Sequence, residues 1–429
     1  MTVPPTPLLR LYRGGLLVLE PAAAGLLAWR RRKGKEDGGR LPERRGVAGR
    51  ERPEGPLAWV HGASIGETLA MVPVVERLTD RGLSVLVTAG TRGAAEVMSR
   101  RLPPGALHQY APLDLPAYIR RFLDHWRPDL ALVAESELWP NTVLDLHRRG
   151  IPLLLVNGRL SERSFRRWRR LPASARALME RFALCLAQTA ADAERFRDLG
   201  ARAVSETGNL KLDARPPPAD PRAVAQIQAA VAGRPVWVAA STHPGEEELI
   251  AAAHVALRES FPRLLTVVAP RHARRGAEVA AIAAEAGLRA ARRSDGPEPD
   301  RDTDLYVADT TGELGLFYRL SSLVLVGGSL VPHGGQNPIE PAKLGAAILH
   351  GPHVHNFADV YAALDRAGGA LPVADGDALA RFLRDLLPDT GLQREMARAG
   401  AEAVERLGGA VERTLDAIEP FVARAMGGR

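Results

Sequence analysis

Cysteine is almost absent from this chain. Its 429 residues contain a single cysteine, Cys185, which stands inside an apolar run at residues 182–186. One thiol excludes a disulfide framework and a cysteine-based zinc site, and it favours a reducing compartment. Its apolar neighbours predict that Cys185 is a buried strand residue.

Common signatures of phosphate and metal chemistry are also missing. The chain has neither a Gly-x-x-x-x-Gly-Lys-Ser/Thr loop nor a His-Glu-x-x-His motif. An Asp-x-Asp form occurs at 302–304, but it precedes a predicted strand instead of following one, so we expect a solvated turn. His350, His353 and His355 are spaced like ligands, yet no second cluster accompanies them. The sequence therefore predicts no metal site and no bound cofactor.

Positive charge is concentrated in the first half. Residues 1–205 carry 33 Lys and Arg against 21 Asp and Glu, a net charge of +12, and the remainder carries a net −5. A basic half indicates an anionic partner. This half lacks the aromatic-rich pattern of single-strand nucleic-acid binders, so we expect an anionic membrane or a phosphorylated lipid and no nucleic acid.

The N-terminus is apolar but interrupted. The stretch from Leu8 to Trp29 contains Arg10, Arg13 and Glu20, and a basic run follows at 30–35. A clean membrane span needs about 20 uninterrupted apolar residues, and a signal peptide carries its charges first. We predict a membrane-associated segment at 1–29 and a flexible basic connector at 30–56. A helix packed on the protein body is the alternative.

Short apolar runs then alternate with amphipathic stretches, which predicts parallel βαβ sheets. A proline-rich break at 214–221 divides the series into two α/β domains, at 57–213 and 222–429, and a ligand is expected in the cleft between them. The predicted strands are Leu57–Val60, Leu83–Thr88, Leu130–Ala134, Pro152–Val156, Leu184–Ala187, Val236–Ala239, Leu264–Ala269, Leu305–Ala308, Leu323–Val326 and Ala347–Leu349.

Acids follow two strands of the first predicted domain. Glu67 lies just beyond the glycine turn after the first strand, where a carboxylate can take a proton from a hydroxyl or merely complement a helix N-terminus. Glu135 and Glu137 follow the strand at 130–134 and are either site acids or helix caps. Lys211, beside the proline-rich break, could neutralise a leaving phosphate or be an ordinary surface lysine.

Arginines cluster after the strand at 152–156. Arg163, Arg166, Arg167, Arg169 and Arg170 follow it closely, interleaved with aromatic residues. Guanidinium groups suit phosphate recognition, although a solvated basic helix face has the same pattern.

Small residues and helix starts mark the strand ends of the second domain. They occur at 270–272, 309–315, 327–329 and 333–341. Several helix N-termini at one sheet edge favour a phosphate group, so we expect a nucleotide there. Glu340 is placed to hold a ribose hydroxyl, and Asn337 with Pro338 also fits an ordinary helix cap.

These strings, taken in order, resemble the 3-deoxy-D-manno-octulosonic acid (Kdo) transferase family, the lipid A Kdo transferases of Gram-negative bacteria. The matching segments are 62–67 (Gly-Ala-Ser-Ile-Gly-Glu), 135–141 (Glu-Ser-Glu-Leu-Trp-Pro-Asn), 157–161 (Asn-Gly-Arg-Leu-Ser), 208–211 (Gly-Asn-Leu-Lys), 312–314 (Gly-Glu-Leu) and 333–340 (His-Gly-Gly-Gln-Asn-Pro-Ile-Glu). Together they cover about residues 55–360.

The resemblance implies a GT-B glycosyltransferase, with two Rossmann-like domains facing a cleft. It would transfer Kdo from CMP-Kdo to lipid IVA, with inversion, at the cytoplasmic side of the cell inner membrane. Glu67 would be the general base, and Glu137 and Lys211 would stabilise the transition state. The implied CMP-binding residues are Pro270, Arg271, Gly312, Glu313, Leu314, Asn337, Pro338, Ile339 and Glu340. The expected acceptor-binding residues are Ser64, Arg159, Arg163, Arg166 and Arg167.

Three other functions remain open from the residues alone. Another GT-B enzyme could use a UDP-sugar, and a sugar-nucleotide epimerase shares the fold but needs no apolar N-terminus. A basic membrane-surface or nucleic-acid-binding scaffold would need no carboxylate beside a glycine turn.

Overall fold

The computed structural model describes residues 4–296 and 298–427, which divide into two compact units. The first unit is formed by the chain up to Ala214 together with the segment from Gly408, and the second by Arg215–Leu407. Each unit has its own parallel sheet and hydrophobic core.

The described part of the first unit contains a seven-stranded sheet in the order β3-β2-β1-β4-β5-β6-β7. Its strands are β1 (Leu57–Gly62), β2 (Ser84–Ala89), β3 (Ala106–Tyr110), β4 (Leu130–Ala134), β5 (Leu153–Gly158), β6 (Leu184–Ala187) and β7 (Val204–Glu206). The helices are α1 (Pro7–Val18), α2 (Glu20–Arg32), α3 (Ile65–Asp80), α4 (Arg92–Arg101), α5 (Pro116–Trp126), α6 (Pro140–Arg148), α7 (Glu162–Arg169), α8 (Pro172–Met179) and α9 (Ala190–Asp198).

The second unit repeats this design. Its described residues form a seven-stranded parallel sheet in the order β10-β11-β9-β8-β12-β13-β14. The strands are β8 (Val236–Thr242), β9 (Leu265–Pro270), β10 (Ala290–Arg292), β11 (Leu305–Val307), β12 (Leu323–Val326), β13 (Ala347–His350) and β14 (Ala370–Pro372). The helices are α10 (Pro221–Ala230), α11 (Glu246–Leu257), α12 (Gly276–Glu285), α13 (Leu314–Tyr318), α14 (Ile339–Lys343), α15 (Ala358–Ala367), α16 (Gly376–Leu386) and α17 (Thr390–Arg406).

The last helix, α18 (Ala410–Gly427), returns to the first unit. Asp213 accepts hydrogen bonds from the backbone N–H groups of Gly409 and Val411, at 2.7 and 2.6 Å, and so caps the start of this helix. Its apolar face, including Ile418 and Val422, is buried in the core of the first unit. The assignment of all of 222–429 to the second domain is therefore corrected for this final helix.

The connector at 30–56 is ordered, contrary to the flexible chain expected there. Arg44 forms a buried ion pair with Glu36 at 2.9 Å and donates to the carbonyl of Gly90 at 2.5 Å. Gly46 has a φ of 75°, and a Cβ there would lie 2.1 Å from the carbonyl oxygen of Tyr118. The backbone of this segment therefore packs tightly on α5, which its charged composition did not indicate.

The N-terminal helices dock on the first unit through polar contacts. Tyr12 donates to Asp114 at 3.2 Å, and Arg13 pairs with the buried carboxylate of Asp145 at 3.1 Å. Among the described residues no single helix is long and apolar enough to cross a membrane. Helices α1 and α2 satisfy the length and composition test only as a pair, bent by 67° at the break.

Candidate active site

The carboxyl edge of the first sheet gathers three acids. Glu67 lies in the first turn of α3, directly after β1, and Glu135 and Glu137 follow the adjacent strand β4. Because both strands are parallel and neighbours, their following residues meet at one edge. The negative charges of Glu135 and Glu137 are near enough to oppose ionisation of Glu67.

Glu67 is held in a capping box at the start of α3. The Ser64 hydroxyl donates to Glu67 Oε1 at 2.7 Å, and the Ala63 N–H donates to Oε2 at 2.9 Å. Burial raises the pKa of Glu67, and the two nearby carboxylates raise it further, although the bonds from Ser64 and Ala63 partly oppose this shift. A positioned carboxylate with a raised pKa is suited to accepting a proton.

Ser64 is thus explained by the local fold. It is the N-cap of α3 and orients Glu67. Ser64, which was expected to bind the acceptor, therefore lies next to Glu67, and its hydroxyl is hydrogen-bonded to the Glu67 carboxylate.

Glu137 faces a different set of partners from Glu67. Its carboxylate lies 3.7 Å from His61 Nε2 and accepts a hydrogen bond from the Trp139 indole N–H. Burial opposes ionisation of Glu137, but the His61 and Trp139 contacts outweigh it and lower the pKa of Glu137. The other ring nitrogen of His61 contacts the Thr88 hydroxyl at 2.9 Å, which fixes the imidazole. Glu137 is therefore held as a carboxylate.

Lys211 pairs with Glu135, the acid to which the family resemblance had assigned no role. The two charged atoms, Lys211 Nζ and Glu135 Oε1, are 2.7 Å apart, and both side chains are largely buried. Glu135 has a φ of 54°, an uncommon left-handed conformation for a residue other than glycine. Strained backbone conformations of this kind occur most often at functional sites. This conformation directs the Glu135 side chain towards Lys211.

Asn157 is a further residue of this edge, and it belongs to the matching segment 157–161 but had been assigned no role. It is completely buried at the end of β5, and its Oδ1 accepts the N–H of Leu210 at 3.0 Å. It also has a left-handed φ of 55°. The bond to Leu210 holds the short 3₁₀ turn Leu210–Leu212, which carries Lys211. In the sequence, the only available signal for this residue was a polar asparagine directly after the apolar run at 152–156.

The expected acceptor-binding arginines separate into two places. Arg159 follows β5, and its N–H donates to the carbonyl of Glu135 at 3.4 Å, which places it at the acidic edge. Arg163, Arg166 and Arg167 instead lie on α7, and Arg170 directly follows its last residue. There they line a surface concavity of about 580 Å³ that also includes Glu162. Arg166 is paired with Glu162 at 2.8 Å.

The expected CMP-binding residues lie on three loops of the second unit. Pro270 ends β9 and Arg271 follows it. Residues 312–314 precede and open α13, and residues 337–340 precede and open α14. The Glu313 carboxylate binds Arg293 at 3.1 Å and the Thr310 hydroxyl. Burial opposes ionisation of Glu313, but these contacts outweigh it and lower its pKa.

The 337–340 segment is internally capped. Asn337 Oδ1 accepts the Ile339 N–H at 3.0 Å, and Asn337 Nδ2 donates to Glu340 Oε1 at 3.2 Å. The amide of Asn337 therefore fixes both the start of α14 and the orientation of Glu340, and Pro338 precedes the first residue of this helix.

The glycine turn after β12 does not provide the open phosphate site expected from its sequence. The buried carboxylate of Glu246 accepts hydrogen bonds from the backbone N–H groups of Gly328, Ser329 and Leu330, at 2.6, 3.0 and 2.9 Å. It also accepts the His243 N–H at 2.9 Å. The protein thus fills this anion-binding turn with its own acid, which is a correction to the sequence-based expectation.

Comparisons with known proteins decide the family. Residues 39–214 match the family model described as 3-Deoxy-D-manno-octulosonic-acid transferase (kdotransferase). The chain is 34% identical to the 3-deoxy-D-manno-octulosonic acid transferase of Haemophilus influenzae over 96% of this chain and 98% of the relative. It is 37% identical to the enzyme of the same name from Bordetella pertussis, over 95% and 98% of the two chains. The chain belongs to the 3-deoxy-D-manno-octulosonic acid transferase family.

Membership in the Kdo transferase family makes the chain a glycosyltransferase, as the sequence predicted. The solved structure of UDP-GlcNAc 2-epimerase from Neisseria meningitidis bound to UDP-GlcNAc aligns with a TM-score of 0.57. It is 15% identical and covers 85% of this chain and 100% of its own. At this identity the likeness concerns the fold alone, and it agrees with the predicted GT-B class of two parallel α/β sheets.

His350 and Asp302, which were considered as metal ligands, have other partners. His350 Nε2 lies 2.9 Å from Asp365, and Asp302 pairs with Arg289 at 3.2 Å. Within the part of the chain that the structure describes, no group of three or more His, Cys, Asp or Glu side chains is arranged to hold a metal ion. Cys185 is buried, and burial raises the pKa of its thiol to about 12.

Proposed function

We propose that this Kdo transferase moves Kdo from CMP-Kdo to lipid IVA, the lipid A precursor of lipopolysaccharide. The acceptor hydroxyl oxygen bonds to the anomeric carbon of Kdo, while the bond from that carbon to the phosphate oxygen breaks and CMP leaves. Glu67 takes the hydroxyl proton. Attack opposite the leaving group inverts the anomeric configuration.

The observation that carries this proposal is the environment of Glu67. Its carboxylate is held by Ser64 and Ala63, and burial together with the charges of Glu135 and Glu137 raises its pKa. A general base works best when its pKa is near the operating pH. The capping contacts fix the carboxylate in space, so it is oriented before the acceptor arrives.

Charge stabilisation is assigned to Glu137 and Lys211. Lys211 supplies a cation that can offset negative charge as the sugar–phosphate bond breaks. The ionised carboxylate of Glu137 can stabilise positive charge that develops on the sugar ring. With a single phosphate in the leaving group, side-chain cations are sufficient, so we propose that no metal ion takes part.

The nucleotide is assigned to the second unit, at Pro270, Arg271, Gly312, Glu313, Leu314, Asn337, Pro338, Ile339 and Glu340. These residues follow strands of one parallel sheet or precede its helices, which is the usual nucleotide position in such folds. The carboxylates of Glu313 and Glu340 are each oriented by a neighbouring side chain. They can accept hydrogen bonds from ribose or base.

The acceptor and the membrane are assigned to the first unit. Arg163, Arg166 and Arg167 line the concavity on α7, where they can bind the phosphates of lipid IVA. Ser64 and Arg159 lie close to Glu67 and Glu135.

Helices α1 and α2 present the apolar side chains of Leu11, Val18 and Trp29, which are 72%, 80% and 53% exposed. We assign this face to the anionic inner membrane, on its cytoplasmic side.

The experiment incubates the purified chain with CMP-Kdo and lipid IVA in EDTA, and follows the acceptor by mass spectrometry. We expect a mass gain of one Kdo and release of CMP. Parallel reactions replace CMP-Kdo with a UDP-sugar, with and without the acceptor. Transfer from the UDP-sugar, or its epimerisation, would contradict the proposed donor. Activity that is lost in EDTA and restored by Mg²⁺ would contradict the metal-free mechanism.

A further inference from the structure

Two imidazole rings are stacked at the carboxyl edge of the second sheet. His243 follows β8 and His333 lies on the loop after β12, and their ring centroids are 3.7 Å apart with an interplanar angle of 29°. Strands β8 and β12 are adjacent, and the chain order of the sheet reverses between them. Ligands of open α/β sheets bind at such a switch point.

The two loops approach each other closely enough to require glycine. A Cβ on Gly327 would lie 2.6 Å from the carbonyl oxygen of Ser241 and 2.7 Å from Thr242 Cα. Ser241 itself has a left-handed φ of 59°. This geometry places the His243 ring against the loop that carries His333 and Gln336.

Gln336 selects the tautomer of His243. The Gln336 side-chain nitrogen lies 3.1 Å from His243 Nε2. An amide nitrogen only donates, so Nε2 must accept, and the proton of the neutral ring is on Nδ1. Among the described residues Nδ1 of His243 has no hydrogen-bond partner, so its N–H is available to a ligand.

Positive groups surround this pair without balancing acids. Burial, together with the charges of His333, Arg271, His272 and Arg275, lowers the pKa of His243 to about 4. Arg275 is neutralised by Glu247 at 2.6 Å. Across residues 4–296 and 298–427, no carboxylate lies within 4.0 Å of the Arg271 guanidinium. The nearby acid Glu246 is already bound by four backbone N–H groups.

We propose that His243 and His333, together with Arg271, form a binding site for an anionic oxygen group of the donor. His243 supplies the Nδ1–H donor, the exposed ring of His333 closes one side, and Arg271 supplies the charge. The backbone turn at 328–330 is occupied by Glu246, so side chains perform the anion recognition that the glycine turn cannot. The inference rests on the proposed function, because the anion is either the phosphate of CMP or the carboxylate of Kdo.

The test compares His243→Gln and His333→Gln with wild type in the full-length protein. His147→Gln is the control, because His147 is an exposed imidazole on α6 of the first unit, whereas His243 and His333 belong to the second. CMP and cytidine affinities are measured by calorimetry, and the KM for CMP-Kdo by initial rates. One hydrogen bond to a charged group corresponds to about a tenfold change in affinity.

If the pair binds the phosphate, both variants weaken CMP binding about tenfold and leave cytidine binding unchanged. If it binds the sugar carboxylate, CMP affinity stays constant and the KM for CMP-Kdo rises by a similar factor. CMP and CMP-Kdo constants equal to wild type in both variants would overturn the inference. His333 is exposed, so His333→Gln remains informative even if the change at the buried His243 impairs folding.

Inorganic phosphate separates this inference from the proposed function. If wild type binds neither CMP nor CMP-Kdo, the proposed donor is wrong. The anion site is then judged by imidazole proton resonances during a phosphate titration. Shifts at His243 and His333 that exceed the shift at His147 support the site, and equal shifts at all three overturn it.

Discussion

Lys211 Nζ lies 2.7 Å from Glu135 Oε1. The lysine is thus paired with the first acid after β4, whereas the second acid, Glu137, faces His61. The two carboxylates have different partners, although one residue separates them in sequence. Glu135 also affects Glu67, because its charge raises the pKa of Glu67. Glu135 therefore contacts Lys211 and acts electrostatically on Glu67.

Replacement of Glu67 by Gln tests the general base. We expect kcat to fall about 10²–10⁴-fold, because a positioned general base contributes this much. CMP affinity should be unchanged, since Glu67 and the proposed nucleotide residues belong to different units. Glu96→Gln, at an exposed carboxylate of α4, is the matched control. A kcat above about one third of wild type would remove this role from Glu67.

The Glu135→Gln variant tests the electrostatic coupling. The active form of Glu67 is the carboxylate, so kcat/KM rises with pH through its pKa. Loss of the Glu135 charge removes one cause of the raised pKa of Glu67. The acidic limb of the kcat/KM profile should move to lower pH. An unmoved limb, or one displaced to higher pH, would show that Glu67 is not the titrating base.

Asn157→Gly tests whether Asn157 positions Lys211. Glycine tolerates the φ of 55° at this site, but it removes the acceptor for the Leu210 N–H. We expect kcat to fall about tenfold with little change in either KM, at a stability cost of about 1–3 kcal/mol. Asn141→Ala is the control, since Asn141 is equally buried and bonds Asp114 instead. Equal kcat losses in both variants would indicate a general structural effect.

The arginines of α7 can be tested against a control on the same helix. Replacing Arg163, Arg167 and Arg170 by Gln should raise the acceptor KM at least about tenfold, because charge-assisted bonds to phosphate are lost. The donor KM should stay constant. Arg169→Gln removes one positive charge from the same helix, against three in the test variant, and Arg169 stacks on Phe165 at 5.5 Å without lining the concavity. A change in donor KM alone would reverse the assignment of the two units.

Serine substitutions at Leu11, Val18 and Trp29 test the proposed membrane face. These side chains are exposed, so the changes should leave stability and CMP affinity nearly intact. Burial of a large apolar side chain contributes about 1.5–3 kcal/mol, so binding to anionic vesicles should fall at least about tenfold. Leu392→Ser, at a residue that is 41% exposed in the second unit, is the control. Wild-type vesicle binding by the triple variant would exclude this face as the anchor.

The strands show which part of the fold could be predicted from local sequence patterns. All ten predicted strands are present, and each is shifted or extended by no more than a few residues. The four strands that were missed are β3, β7, β10 and β14, which are the two edges of each sheet. Interior strands are buried on both faces and appear as apolar runs. Edge strands such as Val204–Glu206 and Ala290–Arg292 are short and contain polar residues, so no apolar run marks them in the sequence. They form by pairing with the neighbouring strand.

The candidate site likewise has features that local sequence patterns predict and features that depend on contacts between distant residues. The α/β class, the family and the segments that reach the sheet edges could be predicted from the sequence, because apolar periodicity and turn residues are local properties. Contacts between distant residues became evident in the folded protein: Lys211 pairs with Glu135, Asn157 holds the Lys211 turn, and Glu246 fills the glycine turn at 328–330. Helix α18 also returns to the first unit. Each of these contacts joins residues 53 or more positions apart, and sequence spacing carries no information on which distant charges and amides come within bonding distance.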